Sequence, residues 1–180
     1  MKGPLLFLAV TMGCAAGAQT DSMAPVFIVQ RYDSLAKVTS VQLSRPLTCS
    51  PDQRKGLLLE PLFAKSRNGS IRYRSLQCQI VGVGDCNGSN RIIFYFVGGG
   101  RLELPSIIRA NCKGNTWFDP TGTELERLAR PVRRIRFVSG RHYKSFVYDV
   151  PEADRNYFME VRSLLLRESK AFKAARTQSN

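Results

Sequence analysis

The segment that most constrains the fold is residues 91–104, RIIFYFVGGGRLEL, in which a dense apolar run meets three glycines and then an alternating run. Residues 92–97 are rich in β-branched and aromatic types, and a run this short favours a strand buried on both faces over a helix. The three glycines supply the positive φ angles that a tight reversal requires. The segment therefore predicts the central hairpin of a sheet.

Alternation of apolar and polar residues predicts more strands on both sides of this hairpin. These strands are residues 26–32, 37–43, 70–83 and 106–111, of which the first two form a hairpin. Residues 45–69 are interrupted by prolines, so we expect an irregular connection there. Residues 114–120 are expected to form a loop around the single tryptophan, Trp117. The chain is therefore expected to be mainly antiparallel β-sheet.

Two helices are predicted towards the C-terminus. Thr121 and Glu124 have the spacing of a capping box, and Pro131 ends the short helix that begins there. A second helix should run from Pro151 to about Ala174 with one apolar side. That side contains Tyr157, Val161, Leu164 and Leu165, flanked by Phe158 and Phe172. The fold class that follows is α+β: a mainly antiparallel β-sheet with one short helix and a C-terminal amphipathic helix packed on it.

The N-terminal segment has the features of an export signal. Residues 1–18 combine one lysine, a short apolar core and a small-residue ending, which is typical of a cleavable signal peptide. A lipoprotein anchored through Cys14 is the alternative, but residues 11–13 lack the aliphatic residue expected before such a cysteine. No segment reaches the roughly 20 apolar residues of a transmembrane helix. We therefore expect a secreted or periplasmic protein, with one domain at residues 19–176 and a disordered tail at residues 177–180.

The cysteines suggest disulfides. Five cysteines become four when the signal peptide is removed, and an even number in an oxidising compartment favours pairing. We favour Cys78 with Cys86, because the short loop between them closes at little entropic cost, which leaves Cys49 for Cys112. A zinc site is the alternative, but the chain has no C-x-x-C pair and its one histidine, His142, is distant in sequence. Neither a metal nor another cofactor is expected.

The most unusual chemical feature is an acid-free span near the C-terminus. From Arg127 to Tyr148 the chain contains seven arginines or lysines and no aspartate or glutamate. The formal net charge of the chain is +13, and it falls to +12 when Lys2 leaves with the signal peptide. Such a charge attracts anionic partners over a long range and weakens with salt. A solvated, solubilising surface is the alternative explanation for the same charges.

Part of this span is predicted to be a β-hairpin. Residues 132–138 and 142–150 alternate, and we expect them to pair through a three-residue turn at residues 139–141. In this register the inward side chains are Ile135, Phe137, Tyr143 and Val147. The outer face then presents the anion-binding candidates Arg134, Arg136, His142 and Lys144, with Phe146 and Tyr148 at one end.

No motif in the sequence identifies an enzyme. There is no serine nucleophile elbow, zinc-protease motif or Walker loop, and His142 is the one ready acid or base near neutral pH. We therefore expect a non-catalytic binding module whose basic surface meets an anionic polymer, a membrane surface or an acidic protein, with nucleic acid as a further option. The alternative is a secreted nuclease in which His142 acts with a base such as Glu103. The phosphate charge would then be stabilised by Arg109, Arg134 or Arg136.

Overall fold

The structure, a computed structural model, describes residues 26–33, 38–52, 55–65, 71–81, 89–107, 114–140 and 145–178. The predicted signal peptide at residues 1–18, with Cys14, lies outside these ranges. The strands are β1 (Ile28–Asp33), β2 (Val38–Leu43), β3 (Leu47–Asp52), β4 (Lys55–Lys65), β5 (Ile71–Val81), β6 (Arg91–Phe96), β7 (Arg101–Pro105), β8 (Asn115–Phe118), β9 (Val132–Val138) and β10 (Ser145–Asp149). The helices are α1 (Gly122–Leu128) and α2 (Tyr157–Gln178), with a 3-10 turn at Glu152–Asp154. The predicted α+β class is confirmed.

The described strands form two antiparallel sheets. Sheet A has the order β1-β2-β4-β5-β8, and β3 also pairs with β4. Sheet B has the order β10-β9-β6-β7, so the predicted central hairpin, β6–β7, lies in this smaller sheet. All three glycines at its turn, Gly98, Gly99 and Gly100, have positive φ. The hairpin prediction is therefore confirmed, but the prediction of a single sheet centred on it is wrong.

The sequence did not predict the second sheet, because β4, one of its two longest strands, contains a proline. β4 pairs with β3 up to Leu59 and with β2 from Phe63. The two partner strands therefore lie one after the other along the same edge of β4. Pro61, which has no N–H to donate, lies in the gap between those partners. The predicted irregular connection at residues 45–69 is therefore wrong, since it contains β3 and β4. The predicted loop at residues 114–120 is also wrong, because β8 forms there and pairs with β5.

The predicted strand at residues 106–111 is described only at its start. Ser106 makes an isolated bridge to Phe118, which joins the end of β7 to β8. The backbone N–H of Ser106 also donates to the carbonyl oxygen of Asn90 at 2.8 Å. Residues 108–113 lie outside the described residues. The bridge connects the two sheets at this edge.

Both sheets contribute to one hydrophobic core. The largest fully buried side chains are Leu47, Leu57, Leu59, Leu76 and Phe118 from sheet A, Ile92, Phe94, Phe96, Leu102, Leu104 and Ile135 from sheet B, and Tyr157 from α2. The Phe158 ring of α2 meets the Phe94 ring edge-on, with centroids 5.7 Å apart. The start of α2 therefore belongs to the same core as the sheets.

A buried ion pair fixes the beginning of α2. Arg45 Nη2 lies 2.8 Å from Asp154 Oδ1, and the Asp154 side chain is 3% exposed. The Arg45 guanidinium also lies 5.7 Å from the centre of the Tyr157 ring, while the Tyr157 hydroxyl donates to the Arg45 carbonyl oxygen at 3.0 Å. These contacts tie α2 to the connection between β2 and β3.

The apolar side predicted for α2 is confirmed where its side chains are described. Phe158 and Val161 are buried, and Leu164 and Leu165 pack half-buried against the core. The Phe172 side chain lies outside the described residues. The helix continues beyond the predicted end at Ala174 to Gln178, into the segment assigned to a disordered tail. No helix among the described residues is long and apolar enough to cross a membrane.

Candidate functional site

The basic hairpin forms, but its predicted register is wrong. Ser145 lies opposite Val138, so the two strands are joined through residues 139–144 and not through the predicted three-residue turn. A shift by an odd number of residues sends every side chain of β10 to the opposite face. Phe146 and Tyr148 therefore lie on the inner side, and Val147 is 54% exposed on the outer side. The observed register turns Phe146 and Tyr148 towards the core, where the predicted register placed Tyr143 and Val147.

The outer positions predicted on β9 are correct. Arg134 and Arg136 are both exposed, because their neighbours Ile135 and Phe137 fill the core. The other two anion-binding candidates, His142 and Lys144, lie outside the described residues, as does Tyr143. The structure thus brings together one half of the predicted site.

Strand pairing extends this site across sheet B. Arg134 lies opposite Asp149 on β10 and Tyr95 on β6, while Arg136 lies opposite Val147 and Ile93. One strand further, Arg101 is opposite Tyr95, and Glu103 is opposite Ile93. We call the following surface the outer face of sheet B: Arg91, Ile93, Tyr95, Arg101, Glu103, Arg134, Arg136, Val147 and Asp149.

Two of the arginines on the outer face are paired with carboxylates. Arg134 Nε donates to Asp149 Oδ1 at 2.7 Å, and Arg91 Nη1 donates to Glu103 Oε1 at 2.9 Å. The hydrogen bond from Arg134 lowers the pKa of Asp149 and, reciprocally, raises the pKa of Arg134. Although the span itself contains no acidic residue, β7 and the end of β10 place carboxylates beside its arginines in the folded structure.

The remaining arginines of the outer face, Arg101 and Arg136, have no carboxylate partner among the described residues. Arg136 Nη2 donates to the Ser145 hydroxyl at 3.2 Å. Its cross-strand neighbour Ile93 is 6% exposed although it lies outside the core cluster. Long arginine stems can cover apolar surface while their charged ends stay in water. The outer face therefore presents the exposed guanidinium groups of Arg101 and Arg136.

Other basic residues of the span have structural contacts. Arg130 Nη2 donates to the Gly99 carbonyl oxygen at 3.2 Å, and its guanidinium lies 4.8 Å from the centre of the Phe96 ring. Arg127 Nη2 donates to the Arg101 carbonyl oxygen at 2.7 Å. These two arginines hold α1 and the chain after it against the β6–β7 hairpin, a role that sequence spacing did not indicate.

The described cysteines are buried free thiols. Cys49 lies opposite Leu57 and Cys78 opposite Leu59, so they lie on one face on either side of β4, two strand spacings across and two residues along, or about 12 Å apart. That separation is too large for a disulfide between them. Burial raises the pKa of Cys49 to about 12 and also raises the pKa of Cys78, which makes both thiols poor nucleophiles. Their predicted partners, Cys86 and Cys112, lie outside the described residues, so the pairing stays a prediction.

The nuclease alternative gains no assembled site from the described residues. Glu103, its proposed base, is held by Arg91 in the ion pair above. His142 and Arg109 lie outside the described residues. Within the described ranges, no group of three or more His, Cys, Asp or Glu side chains could hold a metal ion.

No protein-family model matches the chain, and neither a curated protein nor a solved structure shows significant similarity to it. The outer face of sheet B must therefore be interpreted from its own residues.

Proposed function

We propose that this chain is an exported, non-catalytic binding module that meets an anionic polymer through the outer face of sheet B. The observation behind the proposal is that Arg101 and Arg136 are exposed on one face without a carboxylate partner among the described residues. Export is the expectation from the sequence of residues 1–18 and belongs to the same proposal.

The arrangement of the charges favours an extended partner over a compact anion. Arg101 and Arg134 lie in one row across the sheet, separated by Tyr95, so their backbones are about 10 Å apart. Arg136 lies in the next row along β9. Guanidinium groups at three positions of the sheet can each meet a different charge of a polyanion, whereas a small ion would engage one or two of them. Arg134 also has Asp149 to neutralise it, so Arg101 and Arg136 carry most of the uncompensated charge.

The experiment is chromatography of the purified mature protein on an immobilised single-stranded DNA column with a rising salt gradient. Arg101→Gln together with Arg136→Gln removes the two uncompensated charges and should lower the eluting salt concentration, because screened Coulomb attraction supplies the affinity. The matched control is Arg167→Gln with Lys170→Gln, which changes the net charge equally on α2.

The two double variants separate a binding face from a general charge effect. If the outer face binds, the change on sheet B reduces retention clearly more than the change on α2. An equal reduction in both variants would show that only net charge matters, and the proposal would be wrong. The same protein incubated with labelled RNA tests the nuclease alternative, since cleavage that His142→Ala abolishes would replace the binding proposal.

A further inference from the structure

The two uncompensated arginines of the outer face of sheet B lie on either side of strand β6. Arg101 is on β7 and Arg136 is on β9, and both of these strands pair with β6. The register places the two arginines two strands across and two residues along, so their backbones are about 12 Å apart. A polymer whose charges reach both arginines must therefore pass over the outward side chains of β6.

Those outward side chains are Arg91, Ile93 and Tyr95, and they differ in what they offer to a partner. Arg91 Nη1 lies 2.9 Å from Glu103 Oε1, and Ile93 is 6% exposed. Tyr95 is partly exposed and lies directly opposite Arg101. The group that the polymer meets between the two uncompensated arginines is therefore a phenol ring.

The hydrophobic core does not explain an aromatic ring at this position. Phe94 and Phe96, the neighbours of Tyr95 in β6, are buried in the core. Tyr95 belongs neither to the core cluster nor to the side chains that pack half-buried against it. Among the described residues, its ring is not in contact with another aromatic ring. The ring of Tyr95 is therefore available to a partner on the outer face.

An aromatic ring between exposed guanidinium groups suits one class of polyanion. In single-stranded nucleic acid a planar base accompanies every phosphate, and any base can stack on an aromatic side chain because every base has a π-face. In a duplex the bases are already stacked inside the helix. Polyphosphate has no planar group at all. Stacking therefore distinguishes single-stranded nucleic acid from these other anionic polymers.

We propose that the anionic polymer bound by the outer face of sheet B is single-stranded nucleic acid, with one base stacked on Tyr95 and nearby phosphates paired with Arg101 and Arg136. This inference rests on the proposed function and adds the class of polymer to it. The arginines supply the part of the affinity that salt screens, and the ring supplies a part that salt does not screen.

The test compares two labelled probes of equal length, an oligothymidylate and an oligonucleotide in which every site is abasic. Both probes carry the same phosphates, but only the first carries bases, so the wild-type protein should bind the first more tightly. Dissociation constants are measured by fluorescence anisotropy. Tyr95→Leu should weaken binding of the oligothymidylate roughly five- to 150-fold, the usual effect of losing one base–aromatic stack, and should change binding of the abasic probe less than about twofold. Tyr95→Phe, which keeps the ring, should bind both probes as the wild type does.

The salt dependence separates the ring from the charges. Arg101→Gln should weaken binding of both probes alike, and it should reduce the slope of log affinity against log salt concentration by about 0.7, the value for one phosphate contact on a single strand. Tyr95→Leu should leave that slope unchanged, because stacking on an uncharged ring releases no counterion.

The outcomes distinguish this inference from the proposed function. If the wild-type protein binds neither probe, the proposed function is wrong and this inference is wrong with it. If the wild-type protein binds both probes equally and Tyr95→Leu changes neither affinity, the outer face binds anionic polymers but the stacking inference is overturned. Equal weakening of both probes by Tyr95→Leu would also overturn it, because the side chain would then support the surface without contacting a base.

Discussion

At the scale of single residues, Glu60 is a charge whose burial works against folding. It lies on β4 opposite Gln77, and partial burial raises its pKa above the ordinary value of 4.5. The folded state therefore holds this proton more tightly than the unfolded state does. Consequently the stability contribution is greatest below the ordinary pKa and is lost as pH rises through the raised folded pKa.

Replacing Glu60 with glutamine should therefore stabilise the protein near neutral pH, by up to about 1 kcal/mol after allowance for solvent screening. Below pH 4.5 the gain should disappear, because the carboxyl group is then protonated in both states. Urea unfolding near neutral pH and below pH 4.5 measures the difference in the free energy of unfolding between wild type and Glu60→Gln. Glu152→Gln, at a side chain that is 86% exposed, should show no such gain. A Glu60→Gln protein that is less stable at neutral pH would contradict the assignment.

At the scale of elements, α1 depends on its N-terminal cap. The backbone N–H of Glu124 donates to Thr121 Oγ1 at 3.3 Å, and the backbone N–H of Thr121 donates to Glu124 Oε2 at 2.7 Å. Thr121→Ala should lower the free energy of unfolding by about 1 kcal/mol, because the Glu124 N–H loses its acceptor. Thr123→Ala, at an exposed position of the same helix, is the control in thermal unfolding. Equal losses in the two variants would show that the cap contributes nothing.

Such elements could be predicted because their determinants are local. The capping box spans four residues, and the glycines of the β6–β7 turn follow the strand directly. The β9–β10 register could not be predicted, since the turn sequence allowed several connections and only burial of Phe146 and Tyr148 against the core selects one. β4 was missed for a similar reason: Pro61 suggests a break until its two partner strands are known. Long-range pairing, which local spacing does not encode, accounts for both errors.

At the scale of the whole molecule, the part of the outer face of sheet B that was predicted depends on local sequence, and the rest depends on long-range strand pairing. Alternation along β9 was enough to place Arg134 and Arg136 outside. The pairing of Arg134 with Asp149, and the addition of Arg101 and Glu103, depend on which strands flank β9 and β6.

Because both sheets contribute to one core, we expect the molecule to unfold as a unit. Leu102 of sheet B is 2% exposed, and Leu102→Ala should cost about 2–5 kcal/mol through the cavity that it leaves. Trp117 reports on sheet A, since β8 pairs with β5. The denaturant midpoint from Trp117 fluorescence should therefore fall as far as the midpoint from far-UV circular dichroism. Val147→Ala, on the outer face of sheet B, should change the free energy of unfolding by no more than about 0.5 kcal/mol with either probe. If Leu102→Ala lowered the circular-dichroism midpoint but left the Trp117 midpoint in place, the two sheets would be separate folding units.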